Sequence, residues 1–181
     1  FKLTPSQRSR LVKVHARQPD GSLKPTDFEV KQDPEFEAGG GGLYSTAGDY
    51  MKFCQVFLNG GKSAGGQPIL RPETIGIMGQ NQMGVLNVRP LPTQMPALSA
   101  DAEFFPGVVK KWSTAFMINT EQAPTGRSPG SLAWAGLANT FFWIDPVRKV
   151  TGIIMMQMLP FVEPQAIDTF TKFETATYRS V

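Results

Sequence analysis

Three extended segments near the end of the chain constrain the fold more than any other feature. They cover Ser131–Ala135, Asn139–Ile144 and Val150–Met158, and the last two are rich in aromatic and β-branched residues. Asp145–Lys149 supplies a turn between the second and third segments. The pattern predicts three successive antiparallel strands of one sheet.

The stretch that holds the first two strands, Ser131–Pro146, has an uneven composition. Its second half is aromatic, and Phe141 and Trp143 are expected to alternate with Phe142 across the sheet. Its first half surrounds Trp134 with small residues, namely Ala133, Ala135, Gly136 and Ala138. Small residues in a strand give up packing and β-propensity. We therefore expect something to approach the backbone of this half closely.

Helical spacing and end signals appear in three other segments. In Thr46–Asn59 a threonine followed three residues later by an aspartate resembles a capping box, and apolar residues at helical spacing come next. A second helix is expected over Pro72–Gln80, where proline occupies the first turn. A third is expected over Pro164–Tyr178, packed on the sheet.

Further short strands are expected upstream of the three-strand segment. Leu11–Ala16 alternates well enough for one strand, Phe28–Val30 is extended, and Trp112–Asn119 is expected to form another. Val85–Pro106 carries several prolines and no sustained periodicity, so it is expected to be a long surface loop of the kind that often forms a lid or binding wall. Strands flanked by helices in this order predict an α+β fold.

Composition excludes several classes of function. The net charge of the chain is only +3, and its lysines and arginines are scattered along the sequence. Both features argue against a nucleic-acid partner. One histidine and one cysteine, with no close acidic cluster, predict no metal site. The glycine-rich stretches lack the context of a phosphate-binding loop, so no cofactor is expected. No apolar run approaches the ~20 residues of a membrane span.

Several strings, in order, resemble one family, the serine hydrolases with the β-lactamase and penicillin-binding-protein fold. The closest branches are its esterases and the class C β-lactamases. The resemblance runs from about residue 28 to residue 158 and rests on the following strings: GGGLYSTAGDYMKFCQVFLNGG, ILRPETIGIMGQNQ, WSTAFMIN, LAWAGLANTFFWIDP and KVTGIIMMQM.

Three motifs build the site in that family, and the resemblance assigns one of them to this chain. Trp134-Ala135-Gly136 matches the W-x-G motif that many esterases carry where β-lactamases carry K-T-G; the alternative is a strand end with a buried tryptophan. The resemblance implies that Gly136 allows close approach and that the backbone N–H of Leu137 is an oxyanion donor. Trp134, Ala135 and Tyr44 would bind substrate. The alternative for Tyr44 is core packing at the start of the helix predicted over Thr46–Asn59.

Of the other two motifs, the serine with its S-x-x-K lysine is absent from this sequence. The Tyr-x-Asn/Ser motif has one match, Tyr178-Arg179-Ser180, which lies at the end of the chain and out of the family's order, so it is interpreted as chance. Members of the family are also considerably longer. The resemblance therefore implies that residues 1–181 are the C-terminal portion of a single hydrolase domain. The N-terminal half of the same protein would be its partner and would supply the nucleophile, and this chain alone would be inactive. The compartment, cytoplasmic or periplasmic, stays open.

The leading functional hypothesis is a serine hydrolase that cleaves carboxylic esters through an acyl-enzyme, with this chain supplying one wall of the site. A small ester or acyl compound would be the substrate. Because W-x-G places no lysine to meet a β-lactam carboxylate, neutral esters are favoured over lactams. Two alternatives remain: an amide hydrolase of the β-lactamase or D-amino-acid peptidase type, and a non-catalytic binding protein on the same fold.

Overall fold

A computed structural model describes residues 2–181, and its secondary structure is mixed α+β, as the sequence predicts. The elements, in chain order, are α1 (Pro5–Arg8), β1 (His15–Arg17), β2 (Leu23–Pro25), α2 (Ala47–Leu58), α3 (Pro72–Met78), β3 (Lys110–Trp112), β4 (Met117–Asn119), β5 (Leu132–Gly136), β6 (Thr140–Asp145), β7 (Val150–Met155), β8 (Met158–Leu159) and α4 (Pro164–Arg179).

The main sheet has five antiparallel strands in the order β3-β4-β5-β6-β7. The predicted run of three antiparallel strands is confirmed, with Ala133 opposite Trp143 and Trp143 opposite Gly152. A single strand over Trp112–Asn119 is wrong, because the chain turns there and β3 pairs with β4 as a hairpin. The hydroxyl of Ser113 accepts hydrogen bonds from the N–H groups of two turn residues, at 3.1 and 2.8 Å, and thereby fixes the turn.

Alternation along β6 divides the core into two layers, as predicted. Phe142 packs on one face of the sheet with Cys54 of α2. Phe141 and Trp143 pack on the other face with Phe170 of α4. Because residues of α3 join the first layer, the sheet lies between α2 and α3 on one side and α4 on the other.

All three predicted helices are present with small changes at their ends. The hydroxyl of Thr46 accepts from the N–H of Asp49 at 3.2 Å, so α2 begins where the capping pattern indicated. The carboxylate of Glu163 caps α4 in the same way at 2.9 Å from the Ala166 nitrogen. The second helix is shorter than expected and ends at Met78. No helix within residues 2–181 is long and apolar enough to cross a membrane.

A second, small sheet in the order β2-β1-β8 accounts for two predictions that were wrong. In this sheet β1 pairs with β2 as a hairpin, with Arg17 opposite Leu23. The second strand of the hairpin is therefore β2 and not the predicted Phe28–Val30, which forms no strand. The last predicted strand also divides, because Gln157 takes a left-handed backbone conformation (φ 51°). The residues after it pair in parallel with β1 as β8. Residues 85–106 form the expected long loop, with isolated bridges only.

Candidate functional site

Strand β5 extends beyond its neighbour β4, and this leaves part of its backbone edge open. The pairing with β4 involves only Leu132 and Ala133. On the other side, the pairing with β6 continues to the end of the strand, where Gly136 lies opposite Thr140. The edge of residues 134–136 that faces away from β6 is therefore not paired with β4.

Main-chain groups point out of this open edge. The carbonyl of Gly136 accepts from the N–H of Asn139 at 2.9 Å, so it points toward the β6 side. Adjacent residues of an antiparallel strand direct their N–H and C=O groups to opposite sides, so those of Ala135 point toward the open edge. The N–H of Leu137, one residue past the strand, has no hydrogen-bond acceptor within residues 2–181. The edge thus offers unpaired donors and an acceptor.

The small residues of β5 have two different explanations. Ala133 lies opposite Trp143 and Ala135 opposite Phe141, so small side chains there make room for large partners across the strand pair. Packing within the chain is therefore sufficient to explain both alanines, contrary to the expectation that a close approach to the backbone requires them.

Gly136 is different, because no contact within residues 2–181 requires glycine at its position. A Cβ placed on Gly136 would lie 3.6 Å from the nearest atom, the Cβ of Thr140, which is ordinary van der Waals contact. Its backbone is that of a strand. Packing among the described residues therefore gives no reason for glycine here, and close approach by a substrate at Gly136 stays a prediction.

Aromatic side chains form an apolar wall beside the open edge. The half-buried ring of Trp134 packs edge-to-face against Trp112, with 4.5 Å between ring centroids, and against Phe104 at 5.9 Å. Phe104 belongs to the long loop, which therefore reaches the strand; a role of the loop as a binding wall stays a prediction. A cleft in this region is also lined by Met117 and Phe141.

Two lysines of β3, the edge strand beyond β4, are held by carbonyl groups of the loop region. The ammonium of Lys111 donates to the carbonyls of Gly84 and Leu86, at 3.0 and 2.6 Å. The ammonium of Lys110 donates to the carbonyls of Phe105 and Val108, at 3.0 and 2.6 Å, and burial lowers its pKa. Both lysines therefore hold the ends of the long loop. Within residues 2–181 no group of acidic, histidine and cysteine side chains is arranged to hold a metal ion.

Tyr44 is held by contacts outside β5. Its hydroxyl donates to the carbonyl of Val30 at 2.9 Å and accepts from the amide of Gln32 at 2.5 Å. Burial, with the nearby charge of Glu29, raises the pKa of this phenol. These bonds fix the segment that precedes α2, and a role for Tyr44 as a wall of an acyl pocket stays a prediction.

One pattern that resembles a catalytic motif has a structural role. Gly126–Gly130 reads Gly-Arg-Ser-Pro-Gly and matches the G-x-S-x-G of a nucleophile elbow, which joins a strand to a helix. Here the segment lies between β4 and β5, with no helix after it. Ser128 is buried and its N–H donates to Asp145 at 3.0 Å, while the one histidine, His15, lies in the other sheet. The pattern therefore does not form an elbow.

Comparison with known proteins gives one family and several relatives. A family model described as Beta-lactamase matches residues 1–177, a wider span than residues 28–158. Among curated proteins, the acyltransferase calJ of Penicillium decumbens is 23% identical over 175 residues. That alignment covers 88% of this chain and 38% of calJ.

Solved structures of simvastatin synthase (LovD) from Aspergillus terreus share the fold. The LovD6 mutant superposes with a TM-score of 0.77 at 23% identity, over 97% of this chain and 44% of that one. The unliganded selenomethionyl derivative gives a TM-score of 0.75 at 25% identity, over 97% and 43%. The chain thus spans about two fifths of the length of the relatives that it matches.

Proposed function

The chain belongs to the β-lactamase family, and on that premise we propose that it forms one wall of an acyl-transfer site. The complete protein would cleave carboxylic esters through an acyl-enzyme. Residues 1–181 contain no S-x-x-K, so the nucleophile would come from a part of the same domain outside this chain, of which residues 1–181 would be the C-terminal portion. The name of the curated relative, acyltransferase calJ, is consistent with acyl chemistry.

The observation that carries this proposal is the open edge of β5. In an ester-cleaving step the serine oxygen bonds to the carbonyl carbon, its proton passes to a base, and the carbonyl oxygen becomes an oxyanion. The N–H of Leu137, for which residues 2–181 offer no acceptor, would stabilise that oxyanion together with the N–H of the nucleophile. The carbon–oxygen bond to the alcohol then breaks, and the alcohol leaves with a proton.

Each of the other residues at the edge would have its own role. Gly136 would keep space open for the acyl carbonyl, and the main-chain groups of Ala135 would align the substrate as a strand edge does. The ring of Trp134, with Trp112 and Phe104, would bind the apolar part of the acyl group. Tyr44 would close the pocket from the side of α2.

A neutral ester fits this edge better than a β-lactam. Tryptophan occupies the motif position at which a lysine would meet a lactam carboxylate, and the lysines of β3 are bound to carbonyls of the loop. The acyl-enzyme would pass its acyl group to water or to an alcohol. Transfer to an alcohol is the second candidate, favoured by the acyltransferase relatives. An amide hydrolase and a non-catalytic binding protein are the remaining alternatives. The assay below separates both from the ester-cleaving function.

The test is ester turnover by the complete protein and by Gly136 variants. We expect the native protein to hydrolyse short-chain nitrophenyl esters. Gly136→Val should lower kcat/KM by about 100-fold, comparable with loss of an oxyanion donor. Gly136→Ala serves as the fold control, because the nearest atom to its Cβ would be 3.6 Å away; its melting temperature should match that of the native protein.

Two results would count against the proposal. Absence of ester turnover in the native protein, with turnover of an amide or with binding alone, would favour the corresponding alternative. Undiminished turnover by folded Gly136→Val would remove the β5 edge from the site.

A further inference from the structure

The turn that follows β5 contains a completely buried asparagine. Asn139 has no exposed surface, although it lies in a three-residue connection between two strands, where side chains usually face solvent. Its backbone is left-handed, with φ 56°. Asparagine and glycine tolerate this conformation better than other residues.

All three hydrogen bonds that this side chain makes go to one segment, residues 158–162. The Asn139 amide nitrogen donates to the carbonyls of Met158 and Pro160, at 2.9 and 2.8 Å. The amide oxygen accepts from the N–H of Val162 at 2.8 Å. Glycine would supply the backbone conformation but none of these bonds, and aspartate would lack the donors.

The main chain of the turn is bound to the same region. The N–H of Met158 donates to the carbonyl of Ala138 at 3.1 Å, and that of Met156 to the carbonyl of Asn139 at 3.3 Å. Leu137 lies in this turn, and its own N–H has no acceptor in the part of the chain that the structure describes. The direction of that N–H is therefore set by bonds that its neighbours make, above all by Asn139.

We propose that Asn139 is a positioning residue of the acyl-transfer site. Its side chain holds the turn so that the N–H of Leu137 stays directed at the substrate carbonyl. This inference rests on the proposed function. Asn139 does not touch the substrate, and it acts through the turn. An oxyanion donor works only when its geometry is fixed before the reaction, because a displacement of about 1 Å can cost 100-fold in rate.

The experiment compares two substitutions in the complete protein. Asn139→Gly keeps the left-handed backbone and removes all three side-chain bonds. Asn139→Asp keeps the acceptor for the N–H of Val162 and removes the two donors. This variant replaces Asn139→Gly in the experiment if the glycine variant does not fold. The control is Thr125→Val, which removes a buried 2.5 Å bond to Glu174 beneath α4 and leaves the turn intact.

Three quantities are measured well below each melting temperature: kcat and KM for a nitrophenyl ester, and the dissociation constant of an alkyl boronic acid. The boronic acid forms a tetrahedral anion on a serine and therefore reports on the oxyanion donors. For the Asn139 variants we expect kcat to fall by about 10- to 100-fold with KM nearly constant, and the affinity for the boronic acid to fall in parallel. Thr125→Val should lower the melting temperature and leave all three quantities unchanged.

The outcomes separate this inference from the function on which it rests. A native protein without ester turnover overturns the proposed function, and the positioning role with it. An active native protein whose folded Asn139 variants keep the native kcat and boronic acid affinity overturns the positioning role alone and leaves Asn139 a purely structural residue.

Discussion

Asp145, at the end of β6, is the most extensively hydrogen-bonded carboxylate of the core. It accepts from the N–H groups of Ser128, Val147 and Arg148, each at 3.0 Å, and from the hydroxyl of Tyr178 at 2.8 Å. Burial acts to raise the pKa of Asp145, but the hydrogen bonds outweigh it and hold the pKa below its ordinary value. The ionised form is therefore part of the folded structure.

A pH dependence of stability follows from this depressed pKa. The contribution of Asp145 is present above the unfolded carboxyl pKa of about 4 and is lost as the pH falls through the lower, folded value. Asp145→Asn should lower the free energy of unfolding by roughly 1–3 kcal/mol at neutral pH and flatten the acid limb of its pH profile. Urea denaturation between neutral and acid pH measures both. An unchanged acid limb would show that another carboxylate controls it.

Gly152 on β7 has a packing reason that can be tested directly. A Cβ at this position would lie 2.1 Å from the Cη2 atom of Trp143, whose side chain is completely buried. Gly152→Ala should therefore lower the free energy of unfolding by about 1–3 kcal/mol, since the tryptophan must move. Gly76→Ala in α3 is the matched control, because a Cβ there meets nothing within 4 Å. Equal melting temperatures for the two variants would contradict the packing.

Local alternation and register differ in how far a sequence reveals them. The alternation of Phe141, Phe142 and Trp143 follows from the two-residue period of a strand, and the prediction is confirmed. The reason for Ala133 and Ala135 was not predictable in this way. It depends on which residues of β6 lie opposite them, and that register is a property of two strands together.

Among the elements, α4 depends on a buried ion pair. Arg127, in the loop before β5, donates to both carboxylate oxygens of Glu174, and Thr125 donates to one of them. The side chains of the ion pair are at most 2% exposed. The helical offset of Glu174 can be read from the sequence, but its partner lies 47 residues away, so only the folded chain reveals the pair.

Breaking this pair should be costly because the remaining charge stays buried. Glu174→Ala is expected to lower the free energy of unfolding by about 3–5 kcal/mol, and Arg127→Met added to it should restore part of the loss. Urea denaturation of the two variants and of the native protein measures both effects. If the double variant were less stable than Glu174→Ala, the arginine would have a stabilising role independent of Glu174.

Hairpins and strand ends mark the limit of prediction at the scale of elements. The residues of Trp112–Asn119 suit a single strand, yet the hydroxyl of Ser113 turns the chain through local bonds that strand propensity ignores. The start of α2 was easier to predict from the sequence, because Thr46 caps that helix through a contact with a residue only three positions away.

For the whole molecule, the candidate site shows which information is local and which is not. The W-x-G residues and Leu137 were assigned by resemblance to a family that the chain is now shown to belong to. The open edge beside them results from the unequal lengths of the β4 and β6 pairings. The hydrogen bonds of the Asn139 side chain join it to Met158 and Pro160, about 20 positions away in the chain. Neither could be predicted from the motif.

In the proposed site the N–H of Leu137 would bind the acyl oxygen, and replacing that N–H alone tests this role. Leu137→Pro removes the N–H and breaks no hydrogen bond among residues 2–181, because that N–H has no acceptor there. The extended Gly136 before it has the conformation that proline favours in its predecessor. Leu137→Ala changes the exposed side chain and keeps the N–H.

The measurement is kcat for nitrophenyl ester hydrolysis by the complete protein and by both variants, below their melting temperatures. We predict that Leu137→Pro lowers kcat by about 100- to 1,000-fold, the usual effect of losing one oxyanion donor, while Leu137→Ala keeps kcat within a small factor of the native value. A folded Leu137→Pro protein with native kcat would show that the Leu137 N–H does not bind the acyl oxygen.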